Sequence, residues 1–218
     1  MNQGRIIVIT GAPGTGKTTT ASAVAKESDL EKSVHMHTDD FYHYLSKGAI
    51  PPHLPESNEQ NLIVIEAFLE AAKRYARGGY DVIVDGIIGP WFLKPWQSLV
   101  REHYEVHYII LRASKEETLK RAVERSKLDR KTNIELVETM WEQFCNLGIY
   151  ESNVIDTTTY SFKKLFPQYK KKSQVGQRCC LRLFWCNSSL LALHRVNLSR
   201  TFTTKYPPLT QRHTEQEI

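Results

Sequence analysis

Residues Gly11 to Thr18 read GAPGTGKT, follow the apolar run Arg5 to Thr10 and open the helix-like stretch TTTASAVAKE. Glycine at 11, 14 and 16 permits positive backbone angles, so main-chain N–H groups can curl around a polyphosphate without Cβ interference. The helix that follows turns its N-terminus to the anion. Lys17 adds a point charge within reach of β- and γ-phosphates, and Thr18 adds a hydroxyl for a Mg²⁺ bridging them. The expected nucleotide-binding set is therefore Gly11, Ala12, Pro13, Gly14, Thr15, Gly16, Lys17, Thr18 and Thr19.

A second carboxylate-bearing position completes the metal expectation. Asp85 ends the hydrophobic run VIVD, where a strand-end carboxylate can hold Mg²⁺ directly or through water. Thr18 and Asp85 are thus the expected metal residues. Gly86 follows, in place of the glutamate with which mechanical ATPases activate water, and no NKxD guanine-reading motif occurs. The pattern points to ATP as donor and to transfer rather than hydrolysis.

In open α/β sheets ligands collect beyond the carboxyl ends of strands. Asp39 and Asp40 fall there, after a predicted short strand from Ser33 to Thr38. The two neighbours point in different directions. Asp39 is the expected base that orients or deprotonates an acceptor hydroxyl, and the other caps the following aromatic segment; two simple capping residues are the structural alternative. Arg121 and Arg125, four apart on a predicted helix, share a face, with Arg130 in the polar connector beyond. That placement suits a lid closing over transferring phosphate, against the alternative of a solvated face paired with Glu117 and Glu124. His35 and His37 alternate with Met36 and share one side of their strand. A metal site there is conceivable, but the spacing is not diagnostic and a buried packing role competes. Trp91, Phe92 and Trp96 are either pocket wall or core.

These residues need a frame, and the elements that supply it are legible. IIVI suits a fully buried parallel strand, and Ala21, Val24 and Ala25 give the next helix an apolar side. The cluster IPPHLPES marks a loop. Ser57 with Gln60 predicts a capping-box start for a helix from Asn58 to Arg77, ended by Gly78 and Gly79, with Ile65, Phe68, Leu69 and Ala72 on its apolar face. Strands are predicted over Tyr80–Asp85 and Tyr104–Leu111, bridged by helix within Pro90–His103. Ser114 with Glu117 caps a helix to Lys127, Thr132 with Glu135 caps another to Asn146, and Asn153–Asp156 is a fifth strand. Strands separated by helices predict an α/β fold, a parallel sheet with both faces covered.

Composition divides the chain near residue 160. Residues 161–218 carry eleven Lys and Arg against only Glu215 and Glu217, whereas the body holds 18 basic and 22 acidic residues, so the overall charge of +5 misrepresents it. The expected organisation is a domain over 1–160 and a basic, cysteine-containing tail over 161–218, poorly ordered, an unusual extension or a shifted reading frame. Docking of Lys170 to Lys172 and the apolar stretch after them on an anionic membrane is the functional alternative. The acidic body argues against a nucleic-acid partner. Cysteine usage does not resemble a secreted disulfide framework, and no run of 18 apolar residues occurs. A cytoplasmic protein without a membrane span is expected, its oligomeric state open.

With GAPGTGKT, TDDFY, VIVDG, the arginines and VIDTT in this order, residues 4–160 resemble the small P-loop kinases. Chloramphenicol phosphotransferase-like proteins are the most similar, shikimate and gluconate kinases more distant. The resemblance implies a P-loop NTPase three-layer sandwich with a five-stranded parallel sheet in the order 2-3-1-4-5. It also implies Asp39 at the acceptor hydroxyl, Lys17 and Thr18 on phosphates and Mg²⁺, Arg125 as lid residue beside Arg121 and Arg130, and Asp156 to Thr158 near the adenine. The implied catalytic set is Lys17, Asp39 and Arg125, serving transfer from ATP to a small metabolite or antibiotic. A nucleotide-binding regulatory module with weak hydrolysis is the alternative. HTDDFYHYLSKGAIPPHLPES matches no segment tied to a known acceptor, and after Thr159 the usual terminal amphipathic helix is replaced by FKKLFPQYKKK. Truncation at residue 160 is therefore expected to leave the thermal midpoint nearly unchanged; a large fall in a melting experiment would show that the tail packs.

Overall fold

The computed structural model describes residues 3–125 and 130–159, apart from the side chains of residues 125 and 130–133. Five β-branched or apolar runs form the strands β1 (Arg5–Gly11), β2 (Ser33–His37), β3 (Asp81–Gly86), β4 (Glu105–Arg112) and β5 (Val154–Asp156). All pair in parallel in the order β2-β3-β1-β4-β5, as expected. Parallel neighbours require crossovers. Those described are α1 (Lys17–Lys26), α2 (Thr38–His43), α3 (Asn58–Arg77), α4 (Gln97–Arg101), α5 (Lys115–Arg125) and α6 (Arg130–Gln143).

The period-2 alternation of the strands divides the core in two. Ile6, Val8, Val82, Val84, Tyr108 and Ile110 face one side, where Ile65, Phe68, Leu69 and Ala72 of α3 cover them. Ile7, Ile9, Ile83, Ile109 and Leu111 face the other, against Ala21 and Val24 of α1. β2 obeys the same rule: Met36 joins the α3 side, and its register places His35 opposite Ile83 and His37 opposite Asp85. Both histidines thus lie on the α1 side.

Several boundaries differ from expectation, each for a local reason. Thr38, Asp39 and Asp40 do not end β2 but open α2, because His37 caps that helix, its Nδ1 accepting from the Asp39 N–H at 3.3 Å. The capping role expected of one aspartate is therefore taken by a histidine. Ser57 forms no capping box. A 3₁₀ turn over Pro55–Ser57 feeds directly into α3, so Ser57 is already helical in its backbone angles. Its hydroxyl donates to the carbonyls of Pro52 and Leu54, while Gln60 grips both backbone groups of Ile50. Between Pro90 and His103 only a 3₁₀ turn over Pro90–Phe92 and the short α4 form, since Pro95 lacks a donor and disfavours helix in the residue before it. Ser114 does cap α5, accepting from the Glu117 N–H at 3.2 Å. α6 begins at Arg130, so Thr132 lies inside it and not at its cap. The tail lies outside the described residues, as does the boundary at 160.

At the amino ends of the strands one charged clamp holds β1 to β3. Asp81, 1% exposed, accepts from Arg5 Nη2 at 2.7 Å and Nε at 3.2 Å, and from Ser28 Oγ at 2.7 Å; Arg5 also pairs with Asp29. Burial opposes the Arg5 charge, but the hydrogen bonds and charges of Asp81 and Asp29 outweigh it and raise its pKa. Asp81→Ala is expected to cost about 2 kcal/mol, the range for a hydrogen bond to a charged group, read as a lower urea midpoint at unchanged slope.

Candidate active site

The site begins where β1 turns into α1. Gly11, Gly14 and Gly16 all have positive φ (147°, 82° and 90°). A Cβ at Gly14 would lie 2.7 Å from the Thr118 carbonyl oxygen, so the loop can lean against α5 only with glycine there. Gly16 is the left-handed N-cap of α1, with no capping side chain and no acidic residue in the first turn. The positive end of a ten-residue helix is thus presented to the loop. Within the loop the Thr15 hydroxyl donates to the Ala12 carbonyl at 2.8 Å, and Lys17 Nζ donates to the same oxygen at 3.0 Å. Thr157, just past β5, donates from Oγ1 to the Thr15 carbonyl at 3.2 Å and braces the loop from the far side.

Four side chains from three elements converge on the α1 face of the sheet. Asp85 has no exposed surface. Its Oδ2 accepts from the Thr18 hydroxyl at 2.6 Å, and its Oδ1 lies 2.8 Å from His35 Nε2. His37 Nε2 stands 3.8 Å from Oδ2. Burial alone would push the Asp85 carboxyl up, but the His35 and Thr18 hydrogen bonds and the two imidazoles overcome it and hold it below the ordinary carboxylate range. The expected pair Thr18 and Asp85 is therefore in direct contact. Their donors are oxygens, the chemistry Mg²⁺ takes. No group of three or more His, Cys, Asp or Glu suited to a metal occurs among the described residues, so a cation there needs phosphate oxygens to complete its shell.

Asp39 sits beyond the His37 ring from Asp85. Its Oδ2 is 3.9 Å from His37 Nδ1, and its side chain is 59% exposed, facing solvent. Asp40, also exposed, shares the first turn of α2, where negative charge suits the helix end. Burial and the Asp39 charge push the Tyr42 hydroxyl up to about 12, so it stays a donor. α2 meets β3 through Gly86: a Cβ there would stand 1.9 Å from the Thr38 hydroxyl.

Arg121 lies beside the loop rather than over it. Its Nε pairs with Glu117 at 2.6 Å, Nη1 and Nη2 donate to the Thr157 carbonyl at 3.2 Å, and Nη2 to that of Thr158 at 3.1 Å. It ties the segment after β5 to α5, and the pairing with Glu117 that stood as the alternative to a lid role forms. Asp156 makes a turn, accepting from the Thr158 N–H and hydroxyl at 2.8 and 2.6 Å. Arg125 closes α5 and Arg130 opens α6; their side chains lie outside the described residues. Trp96 is core, 1% exposed and packed on Phe68, whereas Trp91 is 53% exposed and meets Phe144 edge-on. Sequence reasoning placed Thr157 only in the stretch implied near the adenine and not as a brace of the loop, and it missed the contact of His35 with Asp85. For His35 a signal existed: it lies two residues before His37, on the face that Asp85 shares.

A sequence model described as AAA domain matches residues 7–142. Among solved structures, the chain is similar to a sugar kinase from Janibacter sp. HTCC2649 (TM-score 0.58, 20% identity, 79% of this chain and 96% of that one). It is also similar to the tunicamycin resistance protein of Deinococcus radiodurans (TM-score 0.52, 23% identity, 80% and 96%). At these identities the likeness is one of fold. Among curated proteins none matches the sequence.

Gly86→Ala is expected to push Thr38 and α2 off β3, at a cost of about 1–3 kcal/mol for an overpacked contact. A thermal shift would read the loss, and an unchanged midpoint would show that α2 yields freely.

Proposed function

The chain belongs to the AAA domain family, and from that premise we propose that it is an ATP- and Mg²⁺-dependent phosphotransferase acting on a hydroxyl of a small molecule. The observation that carries this reading is the buried Asp85 carboxylate held 2.6 Å from the Thr18 hydroxyl at the mouth of a left-handed glycine loop. Bound Mg²⁺, held by Thr18 and Asp85, would neutralise charge on the β- and γ-phosphates.

The chain's own residues do the rest. The backbone N–H groups of residues 11–19 and the end of α1 orient the triphosphate, and Lys17 exchanges the Ala12 carbonyl for a phosphate oxygen. Asp39 takes the proton of the acceptor hydroxyl as its oxygen bonds to the γ-phosphorus and the bond to the β-phosphate oxygen breaks, releasing ADP. Gly86 offers no carboxylate to activate water, which favours an organic acceptor. Arg125 and Arg130 stand at the ends of α5 and α6, on either side of residues 126–129, and supply the closing charge; Arg121, with Asp156, borders the nucleotide. The fold shared with a sugar kinase suits a hydroxylated acceptor. We place the activity in the cytoplasm, with the tail over 161–218 as an appendage to a domain over 1–160. Among the described residues no helix is long and apolar enough to cross a membrane.

The test is transfer of labelled γ-phosphate into sugars, hydroxy acids, nucleosides and hydroxylated antibiotics. Lys17→Ala should abolish transfer, and Asp39→Asn should lower it by about 10²–10⁴-fold with ATP binding retained. Nucleotide binding without transfer to any acceptor would sink the reading.

A further inference from the structure

His35 has no part in the scheme above, yet its Nε2 lies in hydrogen-bond contact with the site carboxylate, 2.8 Å from Asp85 Oδ1. An ionised carboxylate only accepts, so His35 serves as an Nε2–H donor. The two oxygens of Asp85 are thereby divided: Oδ1 is taken by His35 and Oδ2 by Thr18. The terminal torsion of an aspartate is intrinsically broad, and one hydrogen bond leaves it free to turn. A donor on each oxygen fixes the plane. His37 does not duplicate this, because its Nε2 is 3.8 Å from Oδ2, beyond hydrogen-bond reach, and its Nδ1 is engaged with the Asp39 N–H.

The location of His35 agrees with such a role. It is 24% exposed at the side chain, on the edge strand, on the face opposite the one that carries Met36 into the core. Packing therefore does not require an imidazole. Outer partners that orient a metal-ligating carboxylate are worth about 10–100-fold in metal affinity.

We propose that His35 is a positioning residue: by holding Asp85 Oδ1 it turns Oδ2 toward the Thr18 hydroxyl and sets the affinity of the nucleotide complex for its divalent cation. The proposal rests on the reading of Asp85 as the metal-side carboxylate. It deepens that reading by separating the residue that holds from the residue that aims.

The experiment is Mn²⁺ binding to the full chain in the presence of ADP, followed by the free-Mn²⁺ electron paramagnetic resonance signal, with ADP binding in EDTA as the companion measurement. His35→Leu should weaken Mn²⁺ binding by about 10–100-fold while metal-free ADP binding stays unchanged, and His35→Gln, which keeps a donor, should recover most of the loss. If His35→Leu does not fold, His35→Ala is read in its place. Unaltered Mn²⁺ affinity, an equal loss of metal-free ADP binding, or no recovery in His35→Gln would overturn the proposal. Wild-type protein that binds Mn²⁺ with ADP yet phosphorylates no acceptor would overturn the phosphotransferase reading and leave His35 in place.

Discussion

The arrangement of the carboxyl ends of the strands depends on one buried carboxylate. Asp85 has no exposed surface and would be costly as a bare charge, so it requires donors, and each donor comes from a different element. Thr18 brings the first turn of α1, His35 brings the edge strand β2, and the backbone carrying Asp85 is already paired with β1. Satisfying one charge thus sets the spacing of the loop, the edge strand and the second strand-end together. The donors that make burial of the carboxylate tolerable also hold its pKa below the ordinary range.

How much of this was legible follows from the range of each signal. The positive backbone angles of Gly14 and Gly16 and the place of Lys17 and Thr18 at the start of α1 were readable because they are local, fixed by residue type and by spacing within eight residues. The strands were readable because a strand buried on both faces must be continuously apolar, and β3 and β4 fall within a residue of expectation at each end. Local signals failed where a longer contact competed. Ser57 and Gln60 spell a capping box, but Gln60 spends its amide on Ile50, ten residues earlier, and a 3₁₀ turn supplies the helix start. Thr38 to Asp40 looked like a strand end because nothing in the sequence shows that His37 would cap a helix there.

His35 illustrates the other kind of illegibility. Its alternation with His37 was visible, but its meaning depends on the register of β2 against β3, which places His35 opposite Ile83 and two residues short of Asp85. Shifting that register by one residue would turn both rings to the α3 side. The pairing is fixed by Val34 and Met36, which must face the larger core. Apolar residues on one face of the strand therefore determine what the polar residues on the other face can reach.

The residue after Asp85 carries a further consequence. Thr38 lies so near Gly86 that a Cβ would stand 1.9 Å from its hydroxyl. No side chain of any kind fits there without displacing α2, so the position that would arm a water molecule in a hydrolytic enzyme is closed by packing. The same close approach fixes the first turn of α2, and with it Asp39, on the far side of the His37 ring. The carboxylate of Asp39 is carried by α2 and open to solvent. Under the proposed reading, an acceptor entering from that side meets Asp39 as base, whereas the position after Asp85 offers water no carboxylate of its own. On that reading, a preference for transfer over hydrolysis would arise from how closely a helix approaches a strand end.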